Sequence, residues 1–90
     1  MKYYLISYDL KSPGQNYSEL YDAIKNLGEW RHPMESTWVV LTDDNTTAVT
    51  IRENLKKCLD AGDLVFVVNV TSAEYAGWLA SSFWAWFRKE

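Results

Sequence analysis

Ninety residues with a formal charge of -3 describe one small acidic domain. That charge excludes broad electrostatic capture of nucleic acid, which needs clustered Lys and Arg. A single cysteine, Cys58, excludes an internal disulfide and suits a reducing compartment, so the expected location is the cytoplasm. No stretch carries the roughly 20 apolar residues needed to span a bilayer, and Lys2 opens a strand-like run rather than a signal peptide, so no membrane insertion is expected.

Aromatic content is high, with five Trp, six Tyr and three Phe. A chain this short buries roughly two-thirds of its unfolded surface. Each large ring seeks to bury roughly 150–250 Å². Some of these rings are therefore expected in an interface or a binding surface.

The first element is Lys2–Leu10, KYYLISYDL. Tyr4, Ile6, Tyr8 and Leu10 make a continuously apolar face that belongs under helices. Tyr3, Leu5, Ser7 and Asp9 make a mixed face suited to solvent or a partner sheet. Ser12-Pro13-Gly14 then punctuates a loop. A helix is expected from Asn16, with Glu19 completing a capping-box pattern and Tyr17, Leu20, Tyr21, Ile24 and Leu27 on one face. Gly28 is expected to end it as a left-handed residue.

Glu29–His32 reads as a short edge strand, Pro33–Ser36 as a turn, and Thr37–Thr42 as an inner strand; a single bent strand is the competing reading. A helix follows from Thr47 to Asp60, with Ala48, Ile51, Leu55 and Leu59 as its buried stripe. Asp63–Val70 reads as a strand buried on both faces, because Leu64-Val65-Phe66-Val67-Val68 is apolar throughout. Thr71-Ser72-Ala73-Glu74 matches a capping box, so a terminal helix is expected to run to about Phe87. The order is β-α-β-β-α-β plus a C-terminal helix. It predicts a single α+β ferredoxin-like domain over residues 1–90, with an antiparallel sheet and its first and last strands side by side at the centre.

Asp9 is the residue with chemistry to offer. A strand-end carboxylate can hold Mg²⁺ with one further oxygen, and Ser7 lies on the same face to supply it. Two copies of Asp9 across a dimer would make a fuller site. The structural alternative is a cap that accepts hydrogen bonds from loop amides around Lys11–Gly14. Lys2 and Lys11 are the candidate nucleic-acid contacts near it. His32 lacks triad or metal-ligand spacing and reads as structural. Cys58 reads as core, Asp43 and Asp44 as a solvated turn, and Trp30 and Trp38 as core or interface more than as base-stacking platforms.

The YDL strand ending and the wider pattern KYYLISYDL…LGEW…ESTW resemble the small CRISPR-associated endonuclease family (Cas-two) and its stand-alone SinR-like relatives. The resemblance spans Met1–Val70. It implies a homodimer whose sheets face each other, and it implies that Asp9 corresponds to the acid of Mg²⁺-dependent phosphodiester cleavage. Nuclease-type members carry basic residues soon after that acid, whereas Gly14-Gln15-Asn16-Tyr17-Ser18 supplies none. The expected function is accordingly a non-catalytic, nuclease-like homodimeric interaction module. Its alternative is a Mg²⁺-dependent endonuclease acting on RNA or DNA through paired Asp9 residues. Trp78, Trp84, Trp86, Phe87, Tyr3 and Leu5 are the expected interface with a second copy or another protein.

Overall fold

The computed structural model describes residues 1–12 and 17–89. The elements are β1 (Lys2–Asp9), α1 (Ser18–Lys25), β2 (Glu29–Met34), β3 (Thr37–Thr42), α2 (Ala48–Lys56), β4 (Leu64–Asn69) and α3 (Ser81–Trp86). The loop punctuation at Pro13-Gly14 and the helix start at Asn16 lie outside the described residues. The chain is an α+β domain with one antiparallel four-stranded sheet, in the order β2-β3-β1-β4. None of the helices among the described residues is long and apolar enough to cross a membrane.

Strand alternation divides the sheet's side chains cleanly. Tyr4, Ile6 and Tyr8 of β1 share a face with Trp38 and Val40 of β3. This face packs on Leu20 and Ile24 of α1 and on Ile51 and Leu55 of α2. Such a core asks every buried polar tip to find a partner, and the tyrosines do. Tyr4 donates its hydroxyl to the Thr46 carbonyl at 3.0 Å, and Tyr8 donates to the Glu35 carbonyl at 3.3 Å. The Trp38 indole donates to the Tyr8 hydroxyl at 2.9 Å. Burial raises the Tyr8 phenol pKa above its ordinary value, which keeps that hydroxyl a neutral relay. The opposite face carries Tyr3 and Val39, which pack against Phe83 and Phe87.

The central pair is β1 and β3, with β4 beside β1 at an edge. The first and last strands are adjacent as expected, but they are not both central. For the same reason β4 is not buried on both faces. Leu64 and Phe66 are 59% and 63% exposed. An apolar run is consistent with a two-sided core strand, yet here its second face has no layer above it.

Pro33 lies inside β2 rather than in the turn, which contracts to Glu35 and Ser36. An edge strand tolerates a residue with no N–H, and the β2–β3 register breaks between Arg31 and Met34 to accommodate it. Helix α2 starts on Thr47, whose hydroxyl accepts the Thr50 amide while Thr50 reaches back to the Thr47 amide. It stops at Lys56, so Cys58 and Leu59 fall in the following turn.

The long terminal helix does not form. Only Ser81–Trp86 is helical, and residues 70–80 run as an irregular strap. The expected capping box fails because its hydroxyl is already engaged: Thr71 Oγ1 accepts the Tyr3 amide at 2.9 Å. The Thr71 amide in turn donates to Asn69 Oδ1 at 2.9 Å. Thr71 thus extends the β1–β4 ladder sideways instead of starting a helix. Gly77 further weakens a helix there by about 1 kcal/mol relative to Ala.

Gly28 is required for a different reason from the one expected. A Cβ at this position would lie 2.1 Å from the Leu41 carbonyl oxygen. The glycine therefore serves a close backbone approach at the start of β2. Gly62 has φ 91°, and a Cβ there would meet only the Lys11 side chain at ordinary contact distance.

The two glycines should respond differently. Gly62→Ala pays only backbone strain, about 1–2 kcal/mol. Gly28→Ala should cost about 3 kcal/mol or more, because the strand pair must separate. Urea midpoints at unchanged slope check this; equal losses would refute the close-approach account. Asp63 supplies a pH test. Its carboxylate accepts the Lys11 and Asp60 amides, each at 2.8 Å, and the Tyr17 hydroxyl at 3.2 Å. These bonds, the Lys11 amide first, hold its pKa below the ordinary aspartate value. Stability from this group is therefore present above that ordinary value and lost as pH falls through the depressed one. Asp63→Ala should flatten the acid side of the stability–pH curve in thermal melts, and an unchanged acid limb would refute it.

Candidate functional site

Asp9 closes β1, where the strand's alternation places it on the same face as Ser7 and opposite Leu64 in the ladder. Its carboxylate is 63% exposed and takes the Lys11 ammonium at 2.9 Å. The Asp9 carboxylate raises the Lys11 pKa above its ordinary value. No loop amide caps Asp9 among the described residues; the Lys11 amide is taken instead by Asp63. Among the described residues Asp9 is thus an exposed ion pair with Lys11.

A divalent cation needs more than this. Hard cations take six or more oxygens, with the protein supplying carboxylates and carbonyls. Among the described residues no group of three or more His, Cys, Asp or Glu side chains converges. The described residues bring the Asp9 carboxylate, already matched by an ammonium, with the Ser7 hydroxyl on the same face and Glu35 lining a second groove beside Asp9. That set does not fit Mg²⁺ without donors from a second chain.

Lys2 does not join Lys11. It sits at the other end of β1, about 23 Å from Asp9 at strand rise, where its ammonium donates to the Thr46 carbonyl at 3.2 Å. The two lysines therefore form no common patch. Beside Asp9 lies an open groove of about 210 Å³ lined by Ser7, Leu64 and Phe66. Its walls are apolar apart from the acid and the serine.

The larger concavity lies at the other end of the same sheet face. The strap and α3 fold over Tyr3 and Val39 and leave a groove of about 290 Å³ between strap and sheet. Leu5, Val39, Leu79, Phe83 and Trp84 line it. Ring-on-ring contacts hold the cover in place. Tyr3 meets Trp86 and Phe87 edge-on at 5.3 and 5.1 Å, and Tyr75 stacks on Trp84 at 5.7 Å. The Arg31 guanidinium sits 4.7 Å from the Trp86 ring, and the Trp86 indole donates to Glu29 Oε1 at 3.0 Å. Edge strand β2 thereby clamps α3 through charge and ring face together.

This arrangement divides the expected interface residues. Tyr3 and Phe87 are buried inside the chain. Leu5, Trp84 and Trp86 are half-buried in or beside the groove. Trp78 projects into solvent at 99% exposure on the groove's rim. The other candidates resolve simply. His32 stacks on Trp38 at 3.8 Å and pairs through Nε2 with the Glu35 carbonyl at 2.9 Å, a structural role. Trp38 is core, and Lys25 lies over the partly exposed Trp30 at 5.1 Å. Cys58 donates its thiol to the Glu19 carbonyl at 3.7 Å. Asp43 caps the Asn45 and Thr46 amides at 3.0 Å, and Asp44 meets the N-terminal ammonium.

Two features escaped the sequence reading. Asp63 ties two backbone amides and the Tyr17 hydroxyl together, but a lone Asp before a strand gives no signal of what it will accept. The exposed Leu64 and Phe66 were hidden by the run that made β4 look like core. The alternation of Leu64, Phe66 and Val68 on one face was visible, but which face would lack a cover was not.

No protein-family model matches the chain, and no curated protein does. Among solved structures it is similar to a hypothetical protein, TT1823, from Thermus thermophilus. The identity is 20%, over 88% of this chain and 94% of that one, with a TM-score of 0.62. At that identity the likeness speaks to the fold alone.

Proposed function

We propose that the chain is a non-catalytic, self-associating interaction module of the cytoplasm, ferredoxin-like in topology and related to the small CRISPR-associated endonucleases and their SinR-like relatives. Read from the β4 edge, the strand order is β4-β1-β3-β2, which supports the ferredoxin-like assignment. The observation that carries the functional reading is the bare apolar surface of β4. Leu64 and Phe66 stand open beside an Asp9 whose charge Lys11 already matches. A contiguous apolar patch next to a neutralised acid suits burial against protein better than it suits a phosphate backbone. Trp78 adds a second exposed anchor of the type that dominates protein interfaces.

Sedimentation velocity at micromolar concentration should show a dimer. Phe66→Asp should weaken it by about a hundredfold or more, since a charge enters the patch, and should leave the thermal midpoint of the subunit nearly unchanged. A protein that is monomeric throughout would overturn the reading.

The endonuclease reading is favoured by one observation, the exposure of the Asp9 carboxylate at the strand end. It requires Mg²⁺ shared by two copies of Asp9, with Ser7 as a further oxygen and Lys11 on the nucleic acid. In a cleavage assay with labelled RNA and DNA and Mg²⁺, wild type should give no more product than Asp9→Ala. Cleavage that Asp9→Ala abolishes would restore the enzyme.

A further inference from the structure

The sheet has two edges, and they differ. Exposed strand edges offer unpaired N–H and C=O groups to any other strand, and proteins guard them with proline, charge, bulges or a cover. The β2 edge has most of these guards. Pro33 lies within it, its register breaks after Arg31, and Glu29 and Arg31 are charged. The β4 edge has none among the described residues. Leu64–Asn69 is LVFVVN, without proline, charge or register break.

The direction of its free groups follows from the ladder. The Tyr8 amide donates to the Ser36 carbonyl on the β3 side, and the Tyr3 carbonyl accepts the Val70 amide on the β4 side. Odd-numbered β1 residues therefore bond β4, and they face Leu64, Phe66 and Val68. The backbone groups of Val65, Val67 and Asn69 point outward, and no partner meets them among the described residues. Beside this edge, toward α2, an open groove of about 200 Å³ is lined by Ala48, Val49, Arg52 and Val67. Val49 at its wall is itself exposed. The exposed Phe66 flanks the same edge on the other face of the sheet.

We propose that β4 pairs edge to edge with β4 of a second copy, antiparallel about a twofold axis through Val67, so that the two sheets become one. This rests on the self-association reading and specifies its geometry as edge pairing rather than the sheet-on-sheet contact that the family resemblance implies. The strand is self-complementary in this register. Val67 meets its own copy, and Val65 meets Asn69 of the second copy. All the outward N–H and C=O groups of the three residues are then satisfied, by about six hydrogen bonds. On the other face Phe66 meets Val68 of the second copy. Asp63 falls opposite Thr71, so no like charges oppose each other along the seam. A twofold axis supplies the antiparallel direction without further requirement. A second copy is thus the occupant that the edge itself specifies, and the bare Leu64–Phe66 surface is continuous with the seam.

Cysteine cross-linking tests the register in a Cys58→Ser background. In an antiparallel hydrogen-bonded pair the Cα atoms are about 5.5 Å apart, within disulfide range. Val67→Cys should therefore oxidise to a covalent dimer. Val65→Cys, displaced by four residues from its own copy, should not. Phe66→Cys should cross-link only if the sheets pack face to face. Backbone amide exchange in the unaltered protein gives a readout independent of any variant. The Val65 and Val67 amides should exchange at least about tenfold more slowly in the dimer than after dilution to monomer. Cross-linking of Phe66→Cys without Val67→Cys, or fast exchange of both amides in a proven dimer, would overturn the edge pairing and leave self-association standing. A monomer at every concentration would overturn both.

Discussion

A four-stranded sheet has two faces to cover, and this chain has two well-formed helices to do it with. Both helices go to one side. Everything on the other side depends on how far the last 20 or so residues can reach. They cover Tyr3, Val39 and their neighbours, and they stop short of Ser7, Asp9, Leu64 and Phe66. The uncovered end is also the end that carries the strand-terminal acid. The most suggestive residue in the chain and its most adhesive surface are therefore neighbours because of one shortage of covering mass.

The covered face shows what a complete solution looks like. Its tyrosines are core residues with their polar tips led out to backbone carbonyls. Trp38 anchors the relay by donating to Tyr8, and His32 lies flat on the same indole. No buried side-chain polar atom among the described residues lacks a partner. Such networks specify a unique packing as well as a stable one. They also explain why an isolated histidine in this chain is structural: its ring surface and its Nε2 are both already engaged.

Local pattern was readable where the chain meets only itself. The alternation of Lys2–Leu10 placed its two faces correctly, the Ile51 and Leu55 stripe was evident, and Thr47 announced the start of α2. Reading failed where a remote partner decided the outcome. Thr71 has the residue pattern of a helix cap, but the Tyr3 amide, 68 positions away, takes its hydroxyl. Leu64–Val68 has the composition of a core strand, and only the sheet order reveals that nothing lies beyond it. Gly28 looked like a helix stop, whereas the Leu41 carbonyl sets its identity. At the candidate site Asp9 was legible as an exposed strand-end acid. Its pairing with Lys11 was within reach, since a single residue, Leu10, separates them. That Asp63 would claim the Lys11 amide was not.

The Thr71–Tyr3 bond also bears on the order in which the molecule assembles. It joins the start of the chain to the start of the strap, so this one anchor forms only when β1 and β4 have met. Closing a loop of that length is slow relative to forming α1, α2 or the β2–β3 hairpin. The aromatic cover over Tyr3 can consequently be tied down by this bond only after that pairing has formed. Until it docks, the whole second face of the sheet is bare, and the nascent chain presents far more of the same adhesive surface that the finished protein keeps only at β4.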